Sequence, residues 1–135
     1  MASEPIRDPQ KDLLLTPKNS AFVIIDYQPV QVNSIASMDR QLLVHNIVGA
    51  AKAAVAYGLP IVHSTVNVKT GLNKPPIAQL RKVLDKFPTY DRTSINSWED
   101  VEFRKAVEST GRKKLIMTAL WTEACLTFPA LDAMA

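Results

Sequence analysis

Residues 21–26, Ala21-Phe22-Val23-Ile24-Ile25-Asp26, are five apolar side chains in a row ended by an acid. A half-buried strand alternates apolar with polar residues; this run does not, so both its faces need cover, as in a parallel strand inside a sheet. Downstream, from Asp39 to Tyr57, apolar residues return at Leu43, Ile47, Ala50, Ala51, Ala54 and Val55, a helical spacing that Gly58 and Pro60 bring to an end. Pro60 to Thr65 is a second buried strand. Strand, helix and strand in this order and spacing make a βαβ crossover.

The alternation continues. A loop holding Gly71, Asn73, Pro75 and Pro76 leads to a short helix at 77–86, and residues 87–92 read as a short third strand. Ser97 with Asp100 three positions on resembles a capping box that opens a helix over 98–110, stopped at Gly111. Residues 115–120 are the fourth strand, and a helix begins at Cys125. The fold class is therefore α/β: a three-layer, Rossmann-like open parallel sheet with helices on both faces. Residues 1–20, with Pro5, Pro9 and Pro17, read as an N-terminal arm, and residues 21–135 as one domain.

Composition agrees with a single folded domain. Of 135 residues, 47% are hydrophobic and 21% charged, near the globular average and enough for a core without disulfides or metal. The net charge of +3 comes from basic residues on expected helix surfaces, with no aromatic interleaving, so nucleic acid is not the expected partner. One cysteine allows no internal disulfide, and the first twenty residues resemble neither signal peptide nor membrane anchor. The expectation is a cytoplasmic protein with no membrane association.

Open α/β sheets place their sites at the carboxyl ends of strands. Asp26 and Cys125 both lie there. Each alone has a plain structural reading, a cap for the acid and a small buried hydrophobe for the thiol. Together they are more specific: a thiol at a helix N-terminus is expected to favour the thiolate, and an Asp across the adjacent strand can accept its proton. The loop Asp26-Tyr-Gln-Pro-Val-Gln-Val-Asn33 has no glycine to admit a phosphate, which argues against a nucleotide-binding domain.

The runs Phe22-Val-Ile-Ile-Asp-Tyr-Gln28, Arg92 to Trp98 and Leu115-Ile-Met-Thr-Ala-Leu-Trp-Thr-Glu-Ala-Cys125 resemble the isochorismatase-like cysteine hydrolases. Thr122-Glu-Ala-Cys-Leu-Thr-Phe-Pro-Ala-Leu131 is most similar to their YcaC-type branch. The resemblance extends from about residue 13 to the C-terminus. It implies a cysteine nucleophile at Cys125, an Asp at Asp26 and the basic triad member at Arg92, acting without cofactor on a small amide-like (C–N) substrate. It also implies a cis peptide at Leu120-Trp121, with the N–H groups of Trp121 and Cys125 forming an oxyanion hole. Gln28, Thr65, Asn96, Trp98 and Trp121 are the candidate pocket residues, while His63 reads as a satisfied strand histidine.

Two features depart from the family pattern. The nicotinamidase branch carries an Asp-x-His-x-x-His metal site after its second strand; here residues 63–76 hold one histidine and no acid, so no metal is expected and nicotinamide is a poor substrate candidate. The family domain also has two further strands and more helices beyond the nucleophile helix. Their absence is expected to leave the domain incomplete at its C-terminus and the fourth strand as an apolar edge: either another chain covers that edge, or the sequence is a fragment of a longer protein, or the fold has adapted. The rival reading is a non-catalytic family member that serves as an oligomer subunit or binding module.

Overall fold

A computed structural model describes residues 8, 11 and 14–135. Four parallel strands, β1 (Ser20–Ile25), β2 (Ile61–Val66), β3 (Thr89–Arg92) and β4 (Lys114–Ala119), stand in the order β3-β2-β1-β4. The helices are α1 (Pro29–Ser34), α2 (Arg40–Ala56), α3 (Ala78–Val83), α4 (Val101–Ser109) and α5 (Thr127–Met134). A 3₁₀ turn over Ser97–Glu99 precedes α4, and a π-helical turn over Thr122–Leu126 precedes α5.

Every residue of β1 is buried, as its unbroken apolar run demands. Phe22 and Ile24 point into a core with Leu43, Ile47, Ala51 and Ala54 of α2 and Leu80 of α3. Val23 and Ile25 point the other way, to Phe103 and Val107 of α4 and to Cys125. The sheet is therefore covered on both faces, and the expected α/β architecture holds.

Several expected boundaries fall within a residue or two. Helix α2 starts where Asp39 accepts the N–H of Leu42 at 2.8 Å, and it stops before Gly58, whose φ of 67° only glycine adopts freely. Other readings need correction. Residues 26–33, taken as loop, contain α1, with Pro29 in its first turn, where a missing N–H costs nothing. The capping box at Ser97 is not formed: Asp100 is itself the N-cap of α4, accepting from Phe103 N at 2.8 Å, while Asn96 caps the 3₁₀ turn by accepting from Trp98 N at 3.0 Å. The final helix begins at Thr127, because residues 122–126 form a wider turn in which Leu126 N–H donates to Trp121 O.

Most of the expected N-terminal arm lies outside the described residues. Its described end approaches the start of β4: Lys114 Nζ and Asn19 Nδ2 both donate to the carbonyl of Leu14, at 2.6 and 3.0 Å. No helix among the described residues is long and apolar enough to cross a membrane.

Candidate active site

Asp26 follows the last residue of β1 in the left-handed region, at φ 65°, a conformation that Asp tolerates better than most non-glycine residues. The turn brings its carboxylate inward, where it is fully buried. Arg92 ends β3, and β2 lies between β3 and β1, so its side chain spans the end of β2 to reach Asp26. The two form a bidentate pair, Nη1 to Oδ1 at 2.7 Å and Nη2 to Oδ2 at 2.8 Å.

The remaining guanidinium hydrogens are placed by backbone and hydroxyl acceptors. Nη1 also donates to Ser64 Oγ (3.2 Å) and the Thr65 carbonyl (3.1 Å), and Nη2 to the Ile95 carbonyl (2.9 Å). Arg92 is 2% exposed. A buried charge pair stands only when its remaining polar atoms are also satisfied, and here all but Nε are.

Cys125 is buried in the π-turn, with the Asp26 and Arg92 charges and the backbone N–H of Trp121 near enough to its thiol to bear on its proton. Burial pushes the thiol pKa up, and the Asp26 charge pushes it further. The Trp121 N–H and the Arg92 charge oppose that shift without reversing it. The expected thiolate is therefore corrected: burial and the Asp26 charge favour the protonated thiol. The reason is burial first and the neighbouring Asp26 charge second, which together outweigh the Trp121 N–H and the Arg92 charge.

The Leu120-Trp121 peptide is cis. The indole of Trp121, 37% exposed, donates from Nε1 to Ser34 Oγ at 2.6 Å. Asp26, Arg92, Cys125 and Trp121 thus meet at the carboxyl ends of the strands. Gln28 and Thr65 are placed differently. The fully buried Gln28 amide brackets the backbone of Val66, accepting its N–H and donating to its carbonyl, both at 3.0 Å, and donates to the Lys74 carbonyl at 2.8 Å. Thr65 donates its hydroxyl to Asp91 at 2.8 Å.

Asn96 spends its amide on Trp98 N and on Asp132 Oδ2, the latter at 2.7 Å. Trp98 packs edge-on against Phe103, centroids 6.5 Å apart, with the Arg104 guanidinium 5.9 Å from its ring. These four hold the frame of the site through their own hydrogen bonds and packing.

Sequence reasoning missed Ser64, Asp91 and Ser34. Asp91 accepts from Val68 N (3.0 Å), Lys69 N (2.9 Å) and Thr65 Oγ1, fastening the segment after β2; these bonds outweigh its desolvation, and its pKa is lowered. Its place beside Arg92 on β3 was the available signal. Ser34 was hidden because α1 was. Among the described residues no three His, Cys, Asp or Glu side chains group as metal ligands.

The sheet ordered 3-2-1-4, with a buried Asp-Arg pair at its carboxyl end, is an α/β fold with charged groups where such sheets carry their sites. Residues 20–135 match the model of the Isochorismatase domain family, and the chain belongs to that family of hydrolases. It is 30% identical over 121 residues to the probable hydrolase YcaC of Escherichia coli K12, covering 89% of this chain and 58% of the relative. The E. coli YcaC structure, an octameric hydrolase of unknown specificity, matches with a TM-score of 0.85 at 28% identity, over 98% of this chain and 62% of that one. YcaC from Pseudomonas aeruginosa, solved with hexane-2,5-diol and covalent acrylamide, matches with a TM-score of 0.83 at 28% identity, over 89% and 59%. The chain thus spans about three fifths of the length of these relatives.

Proposed function

We propose that the protein is a cysteine hydrolase of small amide-like (C–N) substrates that works through a covalent thio-enzyme intermediate, with Asp26, Arg92 and Cys125 as its triad. The observation that carries this reading is the buried Asp26 carboxylate, held on both oxygens by Arg92 at the carboxyl end of the sheet, with its charge bearing on the Cys125 thiol. A carboxylate so held has its position fixed and keeps lone pairs for a proton.

As Sγ attacks the carbonyl carbon, Asp26 takes the thiol proton, and the carbonyl π electrons move to oxygen. The Trp121 N–H and the Cys125 N–H stabilise that oxyanion. Asp26 then passes the proton to the leaving nitrogen, the C–N bond breaks, and a thioester remains. Water attacks it, giving its proton to Asp26; the C–S bond breaks, and the proton returns to sulfur. Arg92 is always charged and cannot shuttle protons, so it orients Asp26 and offsets its charge. No step calls for a cofactor.

The covalent acrylamide in the P. aeruginosa relative supports a site that accepts a small amide. The octameric E. coli relative supports assembly into a homo-oligomer, and we extend the reading to a cytoplasmic enzyme without nucleic-acid or membrane partners. The rival reading, an oligomer subunit or binding module without catalysis, draws on the unpaired edge of β4. One experiment separates them: ammonia release from a panel of small primary amides, with acid-quenched intact mass. The hydrolase reading expects release together with an acyl adduct that Cys125→Ala abolishes. Release that survives Cys125→Ala, or none from any amide, favours the rival.

A further inference from the structure

The indole of Trp121 is tethered across the site in a way that the triad does not require. Trp121 follows β4 and Leu120 and opens the π-turn that carries Cys125, whose pKa its backbone N–H lowers. Its side chain leaves the nucleophile turn for α1, the helix that follows Asp26. There Nε1 donates to Ser34 Oγ at 2.6 Å, and the same hydroxyl donates to the Gln31 carbonyl at 2.7 Å. With its own proton committed to Gln31, the Ser34 oxygen presents a lone pair to the indole. The ring therefore bridges the ends of β4 and β1 on the side away from Arg92, which approaches Asp26 from β3 across β2.

We propose that Ser34 is a positioning residue that pins the Trp121 indole as a wall of the substrate site, so that the Ser34–Trp121 contact limits the bulk of substrate that reaches Cys125. This rests on the hydrolase reading and goes beyond it by naming what sets substrate size. The indole is 37% exposed and lies outside both core clusters, and Ser34 is a surface residue, so the hydroxyl is the ring's one hydrogen-bonded anchor among the described residues. The unpinned ring swings, and the site accepts broader groups.

The test uses two electrophilic amides, acrylamide and N-tert-butylacrylamide, with the rate of Cys125 modification read by intact mass, and the two tryptophan indole N–H resonances read by ¹H–¹⁵N NMR. A single neutral hydrogen bond of ~1 kcal/mol corresponds to roughly fivefold, so Ser34→Ala should raise the bulky-to-small rate ratio about fivefold. The acrylamide rate itself should stay within about twofold, since the triad is untouched. The Trp121 indole proton should move upfield while that of Trp98 stays, and Ser34→Thr, which keeps the hydroxyl, should restore both ratio and resonance. A reactive wild type with an unchanged ratio in Ser34→Ala, or a Ser34→Thr that behaves like Ser34→Ala, overturns the positioning role alone. A folded wild-type thiol inert to both acrylamides overturns the hydrolase reading and the wall with it.

Discussion

At the residue scale, the chemistry turns on which of two neighbours holds the proton. Burial and the Asp26 charge favour the proton on Cys125, so in the proposed hydrolase the thiol is activated only as Asp26 removes the proton during attack. Arg92 is the counterweight: removing it strands a buried carboxylate, and Arg92→Met should cost about 3–5 kcal/mol in urea unfolding. Arg92→Lys keeps the charge but cannot match both Asp26 oxygens at once, and should fall between the two. Asp26, Arg92 and Cys125 were legible in the sequence because each ends or follows a strand within a distinctive run. Ser64 and Ser34 were not, because an ordinary serine declares nothing until its hydroxyl finds a partner in space.

At the element scale, α4 and β2 offer direct checks. Asp100 caps α4, so Asp100→Ala should lower stability by about 1 kcal/mol. Ser97→Ala should cost nothing or stabilise, since the buried Ser97 hydroxyl has no hydrogen-bond partner and the change removes an unsatisfied group. In β2, His63 is buried with Nε2 unpartnered, and desolvation lowers its pKa from 6.5 to about 4. The fold favours the neutral ring, so the stability tied to it is complete above pH 6.5 and is lost as the pH falls toward 4. The loss is roughly 3 kcal/mol at most, and His63→Gln should flatten urea stability across that window. The long strands and α2 were legible from their apolar periods. Helix α1 was not, because its six residues carry too little period to read and only Pro29 marks its start. The π-turn stayed hidden for a related reason: no sequence signal separates it from the first turn of α5.

At the scale of the whole molecule, the parallel sheet leaves β4 as an edge. Lys114 N and Leu120 N donate toward β1, to Asn19 and Ile25, so the period of two turns the N–H groups of Leu115, Met117 and Ala119 outward. Among the described residues nothing pairs this edge, and residues 1–135 expressed alone should associate with rising concentration in sedimentation velocity. Met117→Pro removes an outward donor without touching the β1 ladder, and should reduce association while leaving the fold intact. The parallel α/β class was readable from the alternation of buried strands and helices; what covers the edge is not written in the strand itself. The account as a whole rests on Asp26, Arg92 and Cys125 acting as one electrostatic unit. The most direct test is the pH dependence of iodoacetamide labelling at Cys125 in the folded protein and in Asp26→Asn. The folded wild type should label with a midpoint above the ordinary thiol value of about 8.5, and Asp26→Asn, which removes the charge that raises it, should lower that midpoint while cutting amide hydrolysis by on the order of 10²–10⁴. Equal midpoints in the two proteins, or a thiol that labels only after unfolding, would contradict it.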